Sequence, residues 1–335
     1  MRLIPKAPLF IIRNNYTNWK LIDYNDIIGA ISKIQKRFSG GKSIMRNVKC
    51  ILICLFVLVG FVKVNAQAVK LWETGEIYQR PESVAYDSKR GCLYISNCNG
   101  EVKTGTSYGD HTISKADLQG NILEFDFVKN LTKPTGICIF DEKLYIVERF
   151  GVVIYDLNEN KIADKIYIKT SYFPNDITVD TEGVIYVSES DTNVIYRIKD
   201  KNVVKWMDSK EISRPNGVLY DNGRLIVGVN SDNCLKAVTI ADKKVTNIAR
   251  LGPGIIDGIK KCGNGYLVSL YMGNLYMVKP TGEVTELINT RDAKINIADF
   301  EYIPDKELIV IPALQNNKLL GYKFDPMEKT VNQPK

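Results

Sequence analysis

The chain has 335 residues, 45% of them hydrophobic and 25% charged, with a formal net charge of +7. It contains no low-complexity tract, and that length and apolar content exclude a disordered or fibrous chain and leave ample material for one sizeable core. The positive balance is confined to the first 66 residues: without their 11 basic and two acidic residues, 34 basic and 36 acidic remain. That near-neutral remainder removes the electrostatic support for nucleic-acid binding.

In chain order, Met45 opens a segment with Arg46 and Lys49, then an apolar run from Cys50 to Val62, then Val64-Asn65-Ala66 ahead of Gln67. A basic start, a short apolar stretch and small residues at its end make a secretory signal peptide over 45–66. The apolar run is too short to span a bilayer comfortably, so no stable membrane span remains after cleavage. The expected location is secreted or periplasmic. Residues 1–44 precede a segment that behaves as a true N-terminus. Either translation starts at Met45 and 1–44 is an over-extended reading frame, or Trp19 to Phe38 forms a small helical region. Five cysteines follow the signal: Cys92, Cys98, Cys138, Cys234 and Cys262. An odd number leaves at least one unpaired within the molecule. No CxxC occurs, so a thiolate zinc site has no support.

From Gln67 onward a short motif recurs six times, a polar or small residue opening a hydrophobic strand. The copies are Pro81-Glu82-Ser83-Val84, Pro134-Thr135-Gly136-Ile137, Pro174-Asn175-Asp176-Ile177, Pro215-Asn216-Gly217-Val218, Ile256-Asp257-Gly258-Ile259 and Ala298-Asp299-Phe300-Glu301, and the second residues are spaced by 53, 40, 41, 41 and 42. Each copy is followed by a second apolar phrase, such as Leu93-Tyr94-Ile95-Ser96 or Ile185-Tyr186-Val187-Ser188. Gly, Asp and Asn punctuate four short strands per unit. A period near 40 with several strands per unit predicts an all-β six-bladed β-propeller of four-stranded antiparallel blades over 67–335. The stretch from Val69 to Tyr78 is placed to add a strand to the last blade and close the ring. The first spacing is about a dozen residues longer than the rest, and the excess falls between Asn97 and Thr112, on the face of the motif residues.

Ring symmetry carries equivalent positions to one axis. Glu82, Asn175, Asn216 and Asp257 would therefore converge, two carboxylates and two carboxamides. Oxygen donors of this kind suit a hard divalent cation, Ca²⁺ first, with Mg²⁺, Mn²⁺ or Zn²⁺ as alternatives. Taken singly, an Asn or Asp ahead of a strand commonly does no more than satisfy turn backbone. Asp299 shares the same phase and would add a third carboxylate nearby. The single histidine, His111, cannot build a multi-imidazole zinc site.

The four motifs in this order and phase, with Ser269-Leu270-Tyr271 behind the Asp-Gly-Ile copy, resemble the SMP-30/gluconolactonase/luciferin-regenerating-enzyme group of six-bladed propellers. The resemblance covers nearly all of 70–325. It implies one divalent cation held by Glu82, Asn175, Asn216 and Asp257, and hydrolysis of a lactone or related ester. In that mechanism the metal acts as Lewis acid and Asp257 orients or deprotonates the attacking water. Sugar-lactone hydrolases of this group tend to carry Arg two residues before the Asn of Asn-Asp; here that position is Phe173. A more apolar lactone or ester therefore stands beside a sugar lactone as substrate. Phe173, Glu148, Glu189, His111 and Asp299 are the expected substrate contacts, with Glu148 and Glu189 alternatively plain exposed surface acids. The competing reading is a non-catalytic ligand- or protein-binding propeller with a structural calcium.

Overall fold

The computed structural model describes residues 9–14, 18–23, 68–98, 111–169 and 171–326. The chain divides into two units, Met1–Asn65 and Ala66–Lys335. In the first, strands Leu9–Asn14 and Asn18–Asp23 pair antiparallel, with Leu9 opposite Asp23 and Asn14 opposite Asn18. The helical expectation for Trp19 to Phe38 thus gives way to a strand over 19–23. The β-branched and aromatic run Phe10-Ile11-Ile12 on its partner favours that pairing over helix. Residues 24–38 and the signal segment 45–66 lie outside the described residues.

The second unit is six four-stranded antiparallel sheets. Counting each repeat as a blade, the inner strands are Pro81–Asp87, Ile137–Phe140, Pro174–Val179, Pro215–Asp221, Ile256–Cys262 and Glu301–Ile303. Each inner strand touches the next around the ring, the sixth touching the first. At that seam the Val84 N–H donates to the Asp299 carbonyl at 3.1 Å and the Asp299 N–H to the Glu82 carbonyl at 3.0 Å. In blades 2 and 6 the inner strand begins only at Ile137 and Glu301, the last residue of each motif copy.

Blade 6 is built from both ends of the propeller. Glu301–Ile303, Leu308–Ala313 and Lys318–Lys323 supply three strands, and Val69–Glu73 pairs outside them with Leu320 opposite Glu73 and Lys323 opposite Val69. A Lys318–Glu73 ion pair at 2.7 Å spans the join. Closure of this type removes an open sheet edge.

The core explains why the second strands read as unbroken apolar runs. Successive side chains of a strand face opposite sides of its sheet, and here both sides meet a neighbouring blade. Leu93 and Ile95 pack with Ile303, Leu308 and Val310 of blade 6, whereas Tyr94 between them packs with Leu144 and Ile146 of blade 2. In the next blade Leu144 and Ile146 face backward, and Tyr145 and Val147 join Ile185 and Val187 of blade 3. The same alternation continues through blades 4 and 5. Six interblade cores result, one of them between the last blade and the first.

Candidate functional site

The inner strands of blades 1, 3, 4 and 5 share one irregularity. Their pairing with the second strand slips between Pro81 and Val84, Pro174 and Ile177, Pro215 and Val218, and Ile256 and Ile259. Glu82, Asn175, Asn216 and Asp257 each lie inside this bulge. A bulge leaves a residue out of the ladder and re-aims its side chain. The freed N–H of the following residue is met by a hydroxyl from the second strand. Ser96 accepts from the Ser83 N–H at 2.9 Å, Ser188 from Asp176 at 3.1 Å and Ser269 from Gly258 at 2.7 Å. The serine closing the second-strand phrase is therefore part of the scaffold of the site. Blade 4 has Gly228 in that place, where a Cβ would lie 2.5 Å from Ile256 Cγ2.

All four bulge side chains line a single cavity of about 490 Å³ on the axis. All are buried, at 5–7% exposure. Two oxygens in it, Glu82 Oε2 and Asn216 Oδ1, are buried with no hydrogen-bond partner. Burial pushes the Glu82 carboxyl well above its ordinary range, and the neighbouring Asp257, Asp299 and Asp176 carboxylates push further in the same direction. Asp257 is pushed up to about 8, first by burial and then by Asp299, against a hydrogen bond donated by Asn216. Buried, unpartnered oxygens beside mutually repelling carboxylates describe a place that a divalent cation would relieve. Among the described residues no three His, Cys, Asp or Glu side chains converge as a metal-binding group. The donor set reaches four only through the two carboxamides, and an all-oxygen set of that kind fits Ca²⁺ or Mg²⁺.

Other expected site residues divide. Phe173 and His111 line the cavity. Glu148, Glu189 and Asp299 do not line it, and neither glutamate is a plain surface acid. Glu148 is buried and accepts from the Thr132 N–H at 2.9 Å. Glu189 is fully buried and accepts from the N–H groups of Phe173 at 2.9 Å, Asp191 at 3.2 Å and Thr192 at 3.1 Å, and from the Thr192 hydroxyl. Each ends a second strand and turns its carboxylate back on the loop before the inner strand, fixing Thr132 or Phe173 in the cavity wall. Asp299 is buried outside the cavity lining, where it accepts from the Ser83 hydroxyl at 2.5 Å and pairs with Lys260 at 3.4 Å. The excess segment 99–110 falls outside the described residues, but the residues flanking it, Cys98 and His111, both line the cavity. Cys98 Sγ donates to the Pro134 carbonyl at 2.8 Å, and the five described cysteines are free thiols.

Sequence reasoning passed over the cationic rim of the cavity, Arg80, Lys133 and Arg149, and Tyr271 on its wall. A signal existed: Arg80 and Lys133 each directly precede the proline of a repeat motif.

No protein-family model and no curated protein matches the chain. Solved structures do. A gluconolactonase from Xanthomonas campestris superposes with TM-score 0.62 at 14% identity, covering 78% of this chain and 91% of that one. A second structure, assigned only provisionally as a gluconolactonase, gives TM-score 0.57 at 13% identity over 78% and 93%. A catalytically inactive virginiamycin B lyase from Staphylococcus aureus, determined with quinupristin, gives 0.54 at 16% identity over 78% and 99%. At these identities the likeness establishes the propeller fold alone, and the activity has to be argued from the site.

Proposed function

We propose that the axial cavity hydrolyses a lactone or related carboxylic ester with the help of one divalent cation, Ca²⁺ by preference, held by Glu82, Asn175, Asn216 and Asp257. The observation that carries this reading is the convergence of four buried oxygen-bearing side chains, two with unpartnered oxygens, in one cavity on the axis. When bound, such a cation supplies polarisation of the ester carbonyl and countercharge for the oxyanion. Asp257 lines the same cavity, and its carboxylate takes the proton of the attacking water. Water oxygen bonds to the carbonyl carbon, the acyl C–O bond breaks, and the proton held by Asp257 passes to the ring or alcohol oxygen, which leaves as a hydroxyl. Phe173, fixed by the carboxylate of Glu189, presents an apolar wall where a sugar-binding Arg would stand. That wall favours a substrate with an apolar flank. The gluconolactonase neighbours support the same reaction class.

A panel of lactones and aryl esters assayed with and without a chelator tests the reading. Turnover should be lost on chelation, return with Ca²⁺, and be absent from an Asp257→Asn variant that retains the fold. Turnover indifferent to the chelator, or none across the panel, contradicts it. A binding role with a structural cation has one point in its favour, since Glu82 also forms part of the seam between blades 1 and 6. It would be upheld by an Asp257→Asn variant that keeps full turnover while losing stabilisation by Ca²⁺. The signal segment 45–66 leads us to place the protein outside the cytoplasm, which N-terminal sequencing of the exported chain would check. Among the described residues no helix is long and apolar enough to cross a membrane.

A further inference from the structure

The rim of the axial cavity carries a charge that its floor does not explain. Arg80, Lys133 and Arg149 line the same cavity as Glu82 and Asp257, and all three are exposed. Among the described residues none of the three makes an ion pair, although cations elsewhere on the propeller do, such as Arg90 with Asp87, Lys236 with Asp232 and Lys261 with Asp221. Arg80 engages only its backbone, its N–H donating to Asn317 Oδ1 at 2.9 Å and its carbonyl accepting from the Cys98 N–H at 3.1 Å. The Lys133 ammonium lies 4.9 Å from the centre of the Phe173 ring, and the Arg149 guanidinium 5.6 Å from that of Phe150. Ring faces attract cations but accept few of their N–H groups, so among the described residues the side-chain donors of all three residues stay available.

The backbone fixes where two of them start. Arg80 and Lys133 precede Pro81 and Pro134 with φ of 53° and 52°, and Arg214 before Pro215 repeats the geometry at 54°. Left-handed backbone before proline is therefore a device of the repeat, not of the ligand. Its consequence differs by blade: Arg80 and Lys133 reach the cavity and Arg214 does not line it.

The electrostatic sum decides what this rim is for. Among the described residues three basic side chains line the cavity against two acidic ones, Glu82 and Asp257, and those two lie buried while the three cations are exposed. A concave site lined by one sign of charge concentrates the opposite sign. Arginine forks match carboxylate and phosphate geometry in particular. Between rim and floor the wall is apolar, with Phe173, Ile255 and Leu314. Past Lys133, Arg149 and Phe173 the cavity adjoins a recess of about 180 Å³ whose single acid is Asp191. We propose that the ligand of this cavity is anionic, with a carboxylate or phosphate seated on Arg80, Lys133 and Arg149 while its ester carbonyl reaches the floor. The inference rests on the reading of the cavity as a hydrolase site and narrows its substrate class.

Calorimetry on the full-length protein with Ca²⁺ present tests it. The probes are the open-chain product acid of a neutral hexono-δ-lactone, the same acid oxidised to a carboxylate at its far end, and the same acid phosphorylated there. The proposal expects either probe with a second anionic group to bind about tenfold or more tightly than the first, in line with charge-assisted bonds to a guanidinium. The tighter of the two identifies carboxylate or phosphate as the natural group. The preference should shrink on going from about 0.05 M to about 0.5 M salt. It should vanish in the Lys133→Gln/Arg149→Gln double variant, with a thermal melt confirming its fold, and survive in Arg214→Gln. Equal affinity for all three probes, or a preference that persists in the double variant, overturns the proposal. Binding is read without turnover, so an anion preference with no hydrolysis sinks only the hydrolase reading. Hydrolysis of neutral lactones with no anion preference sinks only this one.

Discussion

Replacing Asp257 with Asn should stabilise the cation-free protein and destroy its response to calcium. The carboxyl is pushed up to about 8 from an ordinary 3.8. A group raised in this way binds its proton more tightly when the chain is folded. It costs nothing below its unfolded value, costs progressively more as pH climbs from about 4 toward 8, and levels off above that. At pH 7 the cost approaches about 1.36 kcal/mol for each pH unit above 3.8, or about 4 kcal/mol. Asparagine carries no charge to desolvate and keeps an oxygen for the Asn216 amide, so much of that cost disappears. For a domain of this size the gain corresponds to a rise in Tm on the order of 5–10 °C. The assay is thermal unfolding of wild type and Asp257→Asn at pH 5 and pH 7.5, in chelator and in excess Ca²⁺. In chelator the variant should melt higher than wild type at pH 7.5 and show the shallower pH dependence, a residue of slope remaining from Glu82, which is raised as well. In Ca²⁺ the order should reverse, because only wild type gains by mass action. A variant that melts below wild type in chelator, or one that Ca²⁺ still stabilises fully, refutes the reasoning.

Ser269→Ala should cost about 1–3 kcal/mol, since it orphans the Gly258 N–H held at 2.7 Å beside Asp257; urea unfolding reads the loss, and calcium affinity should fall with it. Gly217→Ala would set a Cβ 2.1 Å from the Asp257 carbonyl, a backbone clash worth about 3 kcal/mol or more, seen as loss of soluble protein. Deleting the chain through Thr74 removes Val69–Glu73 and exposes Lys318–Lys323 as an edge; size-exclusion chromatography should show larger, self-associated species than the intact protein gives.

The blade count and the convergence of the motif residues could be read from the sequence because both follow from repeat phase. Six copies, five of them 40–42 residues apart and the first set off by an insertion, force six sheets, and closure brings the same phase of each toward the axis. The bulges could not be read, since a bulge is a mismatch between two strands and neither strand records it alone. Yet the bulges re-aim Glu82, Asn175, Asn216 and Asp257, and they account for the serine that ends three of the second-strand phrases. Glu148 and Glu189 look like loop acids because their burial is created by the returning loop whose N–H groups they accept. The rim was missed because the reach of Arg80 and Lys133 is set by left-handed turns that no spacing encodes. Asp299 shares the motif phase but does not line the cavity, because Ser83 and Lys260 hold it.

Crystals soaked in Mn²⁺ or a lanthanide, examined by anomalous scattering, would test most directly whether these four oxygens hold a cation. One peak bounded by Glu82, Asn175, Asn216 and Asp257, and lost in Glu82→Gln, is the expected result. No peak on the axis, or a peak coordinated by other residues, would contradict it.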